Sequence, residues 1–230
     1  MAIKTTLNYS PNFNPKKRKF NEIKFLIFHY TGMKTEKGAI NRLTNIKSKV
    51  SSHYLIKNNG DIIILVPELY TAWHAGISSW RGNCNINDRS IGIELANPGH
   101  EHGYQKFPDR QMESLIKIAK RTVARYPIPA RNVIGHSDIS PTRKKDPGEL
   151  FDWHKLALEG IGHWPESSKI TNIKHIDKSN LELALKEYGY ETSDLTATIL
   201  AFQRHFLPNR CDGLPDREMF HKLAILINNL

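Results

Sequence analysis

The stretch Ile23-Lys24-Phe25-Leu26-Ile27-Phe28 runs directly into His29-Tyr30-Thr31-Gly32. Consecutive apolar residues leave neither face of a strand suited to water, so the run predicts a buried central strand that presents His29 at its C-terminal end. Such a strand needs cover on both sides, and the neighbouring pattern offers it. Ala39, Ile40, Leu43 and Ile46 fall on one side of a helix over 37–47. Met112, Leu115, Ile116, Ala119 and Val123 do the same over a helix that Asp109 can cap and that runs to about Tyr126. Between them, Ser52 to Ile56 and Ile62 to Val66 flank Asn58-Asn59-Gly60-Asp61, a strong hairpin signal. Ser90-Ile91-Gly92-Ile93-Glu94-Leu95 reads as another strand, Asn132 to Ile134 as a short one, and residues 149–158 as a closing helix. Strands alternating with helices predict an α/β domain over residues 23–165, with a mixed central sheet flanked by helices.

Residues 1–22 are polar, with Pro11 and Pro15, and read as an extended lead-in. Residues 166–176 lack periodicity and read as a linker. Three helical patterns follow within 177–230: Leu181, Ala184, Leu185 and Tyr188; then Leu195, Ile199, Phe202 and Phe206; then Phe220, Leu223 and Ile227. They predict a small three-helix C-terminal domain.

The formal net charge of +10 raises the question of a polyanionic partner. The lysines are scattered, and the one dense run, Lys16-Lys17-Arg18-Lys19, sits in the lead-in with no reading element beside it. A basic surface that attracts any polyanion, a bacterial wall included, is therefore expected, and no nucleic-acid partner. Cys84 and Cys211 form no CxxC spacing and read as free thiols. No apolar run approaches the length of a transmembrane segment. The expected location is the bacterial cell envelope (the periplasm) or beyond it if an export signal has been trimmed, and otherwise the cytoplasm.

The chemistry gathers at strand ends. His29 closes one strand and His136 another, and Asp146 ends the loop Gly135 to Gly148. Two histidines and one carboxylate, with a fourth position for water, make the donor set of a catalytic zinc site. Asp138, two residues after His136, is a rival carboxylate, or a partner of the loop's own backbone. Glu94 breaks an apolar strand, which is costly without a role, and beside a zinc-bound water it could accept a proton. Lys144 could stabilise an oxyanion. His100-Glu101-His102 reads as a solvated loop.

Five segments occur in order: Phe28-His29-Tyr30-Thr31, Ser51-Ser52-His53-Tyr54-Leu55-Ile56, Ala72-Trp73-His74-Ala75-Gly76, Ser90 to Leu95, and Gly135 to Gly148. Together they resemble the zinc-dependent N-acetylmuramoyl-L-alanine amidases of the AmpD/AmiD type (amidase_2), relatives of peptidoglycan recognition proteins, over roughly residues 20–165. Ala201-Phe202-Gln203 followed by Asp212-Gly213 resembles a helical peptidoglycan-binding module. The resemblance implies one zinc ion per chain on His29, His136 and Asp146, Glu94 as acid/base, and Lys144 rather than Lys145 at the oxyanion. It also implies Trp73, His74, Arg81 and Asn87 on a peptidoglycan or muropeptide substrate. Wall polymer is the expected partner of the C-terminal helices. Relatives often carry an arginine where this chain has Asn85, so Arg81 or Arg89 is expected to take over its carboxylate contact.

Overall fold

The structure, a computed structural model, describes residues 3–166 and 174–230. The chain opens with β1 (Thr5–Leu7), β2 (Phe13–Asn14), β3 (Phe25–Tyr30) and α1 (Glu36–Thr44). Strands β4 (Tyr54–Ile56) and β5 (Ile62–Ile64) form the hairpin around Gly60, followed by β6 (Thr71–Ala72), α2 (Ile86–Arg89) and β7 (Ser90–Leu95). Then come α3 (Asp109–Arg125), β8 (Val133–Gly135), α4 (His136–Ile139) and α5 (Trp153–Leu158). Three C-terminal helices follow, α6 (Leu181–Tyr188), α7 (Leu195–Phe206) and α8 (Arg217–Asn228).

Six strands form a sheet in the order β1-β5-β4-β7-β3-β8, parallel except at the β4–β5 hairpin. Strand β3, next to the edge strand β8, is paired on both sides, with β7 and β8, and alternates between two layers. Leu26 and Phe28 join a core with Ile91, Ile93 and the inner side of α3. Phe25 and Ile27, on the opposite face, join a core with Trp80, Ile134 and Ile139 and with Leu185, Phe202 and Leu223 of the C-terminal helices. The C-terminal helices therefore share their core with one half of the sheet. The other half of that face, Leu55 and Ile63, lies under Leu43 and Ile40 of α1. Residues 167–173, where most of the expected linker falls, lie outside the described residues, but Ile176 beyond them is already buried in this shared core.

Several boundaries differ from the sequence reading for local reasons. The lead-in is built into strands, because β1 joins the six-stranded sheet in parallel with β5 and β2 forms a separate two-stranded antiparallel sheet with β6. Arg18, read above as part of a basic surface, is buried. Its Nη1 donates to the carbonyls of Ser90 (2.7 Å) and Asn87 (3.1 Å), so one cation of the basic run has a structural use. Asp109 is the first residue of α3 rather than its cap, which is Pro108. The closing helix begins only at Trp153, where the Asp152 side chain accepts from the Lys155 N–H. The Ala201-Phe202-Gln203 and Asp212-Gly213 segments lock each other: Gln203 donates to Asp212 Oδ1 (2.9 Å) and accepts from the Gly213 N–H (2.8 Å).

His53 shows how acid should act on this fold. Its Nδ1 accepts the Gly92 N–H at 3.0 Å, which fixes the proton on Nε2, 3.0 Å from the Tyr70 carbonyl. A second proton on Nδ1 would confront an N–H. Burial, reinforced by the Arg18 charge, lowers the pKa of His53 to about 3. The unfolded chain takes up that proton first, so stability is full above the ordinary histidine value and falls as the pH drops from there toward 3. Between pH 6.5 and 5, His53 alone should remove about 2 kcal/mol. Urea midpoints of metal-free protein at those two pH values should draw closer together in His53→Asn; an unchanged gap would contradict the assignment.

Candidate metal centre

The ends of β3 and β7 place the chemistry side by side. In their parallel ladder His29 is the register partner of Glu94, and both project from the sheet face that carries Phe25 and Ile27. Residue 92 on the same face must be glycine, because a Cβ there would stand 2.5 Å from the His74 ring. Strand β8 delivers His136 at the start of α4, and the Ser137 N–H donates to the Asp146 carbonyl at 2.8 Å, tying the two ends of the 135–148 loop together.

His29 Nδ1, His136 Nδ1 and Asp146 Oδ2 lie 3.0 Å from one another, all three residues buried. The hydrogen bonds behind them settle which nitrogens carry protons. The Ile86 carbonyl can only accept, so the Ser90 hydroxyl donates to it (2.6 Å) and itself accepts from His74 Nε2 (3.1 Å). His74 Nδ1 is thereby an acceptor for His29 Nε2–H at 3.0 Å. His136 Nε2–H donates to the Ala75 carbonyl, also at 3.0 Å. Both Nδ1 atoms are left with bare lone pairs facing a carboxylate, an arrangement that calls for a cation. Burial holds His74 well below its ordinary pKa and lowers His29 to about 4, which keeps the relay neutral. The 3.0 Å edges are close to the ~3.3 Å donor spacing of a tetrahedral ion with bonds of about 2.0–2.1 Å, so the donors suit zinc in number, type and spacing.

The group opens into a cleft of about 550 Å³ whose walls include Arg42, Trp73, Glu94, His100, His136 and Lys144. Glu94 Oε2 has no hydrogen-bond partner among the described residues. Burial, then the Asp146 charge, pushes the Glu94 carboxyl up to about 8, against the pull of Lys144 and Arg42.

A family model described as N-acetylmuramoyl-L-alanine amidase (Amidase_2) matches residues 19–149. The chain belongs to the N-acetylmuramoyl-L-alanine amidase family. It is 41% identical over 224 residues to the N-acetylmuramoyl-L-alanine amidase AmiD of Escherichia coli K12, covering 86% of this chain and 80% of that one. The structure of E. coli AmiD in complex with the substrate anhydro-N-acetylmuramic acid-L-Ala-D-gamma-Glu-L-Lys superposes with a TM-score of 0.81 at 37% identity, over 94% of this chain and 93% of that one. That of AMPDH3 from Pseudomonas aeruginosa, in complex with an anhydromuramic pentapeptide, gives 0.80 at 31% identity, over 96% of each chain.

Within this amidase fold, the residues singled out from sequence take different places. His29, His136, Asp146 and Glu94 converge. Lys144 lines the cleft half-buried, and its charge acts on both His29 and Glu94, whereas Lys145 is exposed on the rim. Asp138, the rival ligand, turns away and accepts from the Gly135 N–H at 2.8 Å. Trp73 lines the cleft. His74 reaches the cleft wall, but both its nitrogens are engaged with His29 and Ser90, so it orients the His29 ring rather than waiting for substrate. Asn87 Oδ1 accepts from the backbone N–H groups of His74 (3.0 Å) and Ala75 (2.7 Å), and so shapes the loop behind His29 and His136. Arg81 is not in the cleft wall; its Nη1 donates to the Tyr188 carbonyl at 2.7 Å and its backbone N–H to Gly189. Arg89 is likewise elsewhere, bonded to Asn83 at 2.9 Å. The basic side chains that do line the cleft are Arg42, Arg143, Lys144 and Lys145. His100, read as solvated, is half-buried in the cleft wall between the Tyr30 hydroxyl (2.8 Å) and Glu149 (3.1 Å). Only the fold brings His100, on a loop, and Arg42, on α1, to the cleft; nothing local in the sequence marks them.

Proposed function

We propose that this chain is a zinc-dependent amidase that hydrolyses the bond between N-acetylmuramic acid, or its 1,6-anhydro form, and L-alanine in peptidoglycan and muropeptides. The observation that carries it is the meeting of three lone-pair donors beside an unpartnered Glu94 oxygen. His29, His136 and Asp146 would hold the ion. When bound, zinc supplies a Lewis acid for the scissile carbonyl and makes a coordinated water easier to ionise. Glu94 takes a proton from the attacking water and passes it to the departing alanine nitrogen, so the water is divided between a new carboxylate and a free amine. The Lys144 ammonium offsets the negative charge that grows on the carbonyl oxygen. Trp73 walls the substrate, and Arg42, Arg143 and Lys145 replace Arg81 and Arg89 as the basic groups available to stem-peptide carboxylates. Residues 177–230 would add a contact to wall polymer, on the strength of their resemblance to peptidoglycan-binding helices. The place of action would be the bacterial envelope, or the cytoplasm if fragments are handled there.

An anhydromuramyl tripeptide incubated with the protein should release free peptide, resolved by mass. Chelator should abolish the release and added zinc restore it. Asp146→Ala should retain no zinc and stay inactive after zinc is added back. Turnover that survives complete metal removal would refute the reading.

A further inference from the structure

Asp138 lies two residues after His136 and is completely buried, at 0% exposure. Its carboxylate is held from two directions. Oδ2 accepts the Gly135 N–H at 2.8 Å, which closes the turn that carries His136. From the other side, Oδ2 accepts His205 Nδ1–H at 2.8 Å and Oδ1 accepts the Tyr190 hydroxyl at 2.7 Å. Tyr190 (2% exposed) and His205 (3%) both belong to the C-terminal helical layer. Neither ring has room to move: His205 is stacked on Trp153 and Phe206, at centroid distances of 3.7 and 3.9 Å, and Tyr190 packs edge-on to Trp80 at 4.8 Å. Besides the Gly135 N–H, the hydrogen bonds that hold this carboxylate come from these two side chains.

We infer that Tyr190 and His205 are positioning residues of the metal centre, which they reach through Asp138 and the turn bearing His136. The C-terminal helices are then part of the apparatus that sets the ligand geometry, in addition to any wall contact. The inference rests on the zinc-amidase reading above.

The test uses the full chain. Zinc affinity is measured by competition with a chromophoric chelator, and the ligand field by the visible spectrum of the cobalt-loaded protein. Tyr190→Phe keeps the ring and removes the donor, and His205→Phe removes the donor while putting a larger aromatic ring in the same stack. Each should weaken zinc binding about tenfold and alter the cobalt bands, as loss of outer-shell support does at metal sites. Leu223→Ala opens a cavity in the same helical layer without touching Asp138. It should lower Tm at least as much while leaving affinity and spectrum at wild-type values. Wild-type zinc affinity in Tyr190→Phe, the milder change, would overturn the inference whether or not His205→Phe folds. An equal loss of affinity in Leu223→Ala would overturn it too, by showing general loosening. A wild-type protein that takes up no zinc is a different result and would strike at the zinc site itself.

Discussion

Glu94→Gln should lower the turnover of an anhydromuramyl peptide by about 10²–10⁴-fold and leave the zinc content unchanged. The substitution keeps the shape of the side chain and removes its ability to take a proton. Glu94 is outside the donor group of His29, His136 and Asp146, so the ion has no reason to leave. An oxygen without a partner and a carboxyl pushed up to about 8 by burial and the neighbouring Asp146 charge describe a group that exchanges protons near neutral pH. Peptide release resolved by mass, alongside zinc by elemental analysis, separates the possibilities. Full activity in this variant would mean that another group carries the proton. Loss of zinc would mean that Glu94 helps to hold the ion.

Removing residues 174–230 should leave the remainder insoluble or without a cooperative thermal transition. The sequence alone predicts a severable helical domain, whose loss would weaken wall binding more than catalysis. The fold changes that expectation. Phe25, Ile27, Ile134 and Ile139 share one core with the C-terminal helices, and truncation would expose them to water. At roughly 1.5–3 kcal/mol for each fully buried side chain, their exposure alone costs about 6–12 kcal/mol. That is comparable to the whole stability of an ordinary domain, about 5–15 kcal/mol. A soluble fragment with the parent's Tm would show that this sheet face finds other cover.

The sheet was legible where periodicity was strong. The β3 run, the Asn-Gly hairpin, helix α3 and the three C-terminal patterns all stand within a few residues of where the spacing puts them. What composition could not convey was partnership across long separations. Arg18 looks like a surface cation until Ser90 and Asn87 are seen to accept its protons. The lead-in looks extended and independent until β1 is paired with β5. At the site, the donor types and the odd carboxylate in a strand singled out His29, His136, Asp146 and Glu94, which the fold brings together. Their supports were hidden, since the direction of the His29–His74–Ser90 relay depends on a carbonyl at Ile86 that any residue would supply. Arg81 was expected at the cleft in place of the arginine relatives carry at position 85, but sequence does not say which side of the 76–86 loop an arginine faces, and here it turns to the Tyr188 carbonyl.

The pairing of His29 with Glu94 on neighbouring strands makes backbone alignment the ruler for the chemistry. A slip of one residue between these strands would swing an imidazole and a carboxylate into opposite layers, so assembly errors here should yield inert molecules rather than sluggish ones. Conversely, trimming side chains on the far layer, such as Leu26 or Ile93, should shorten the protein's working life under heat long before it slows each catalytic event.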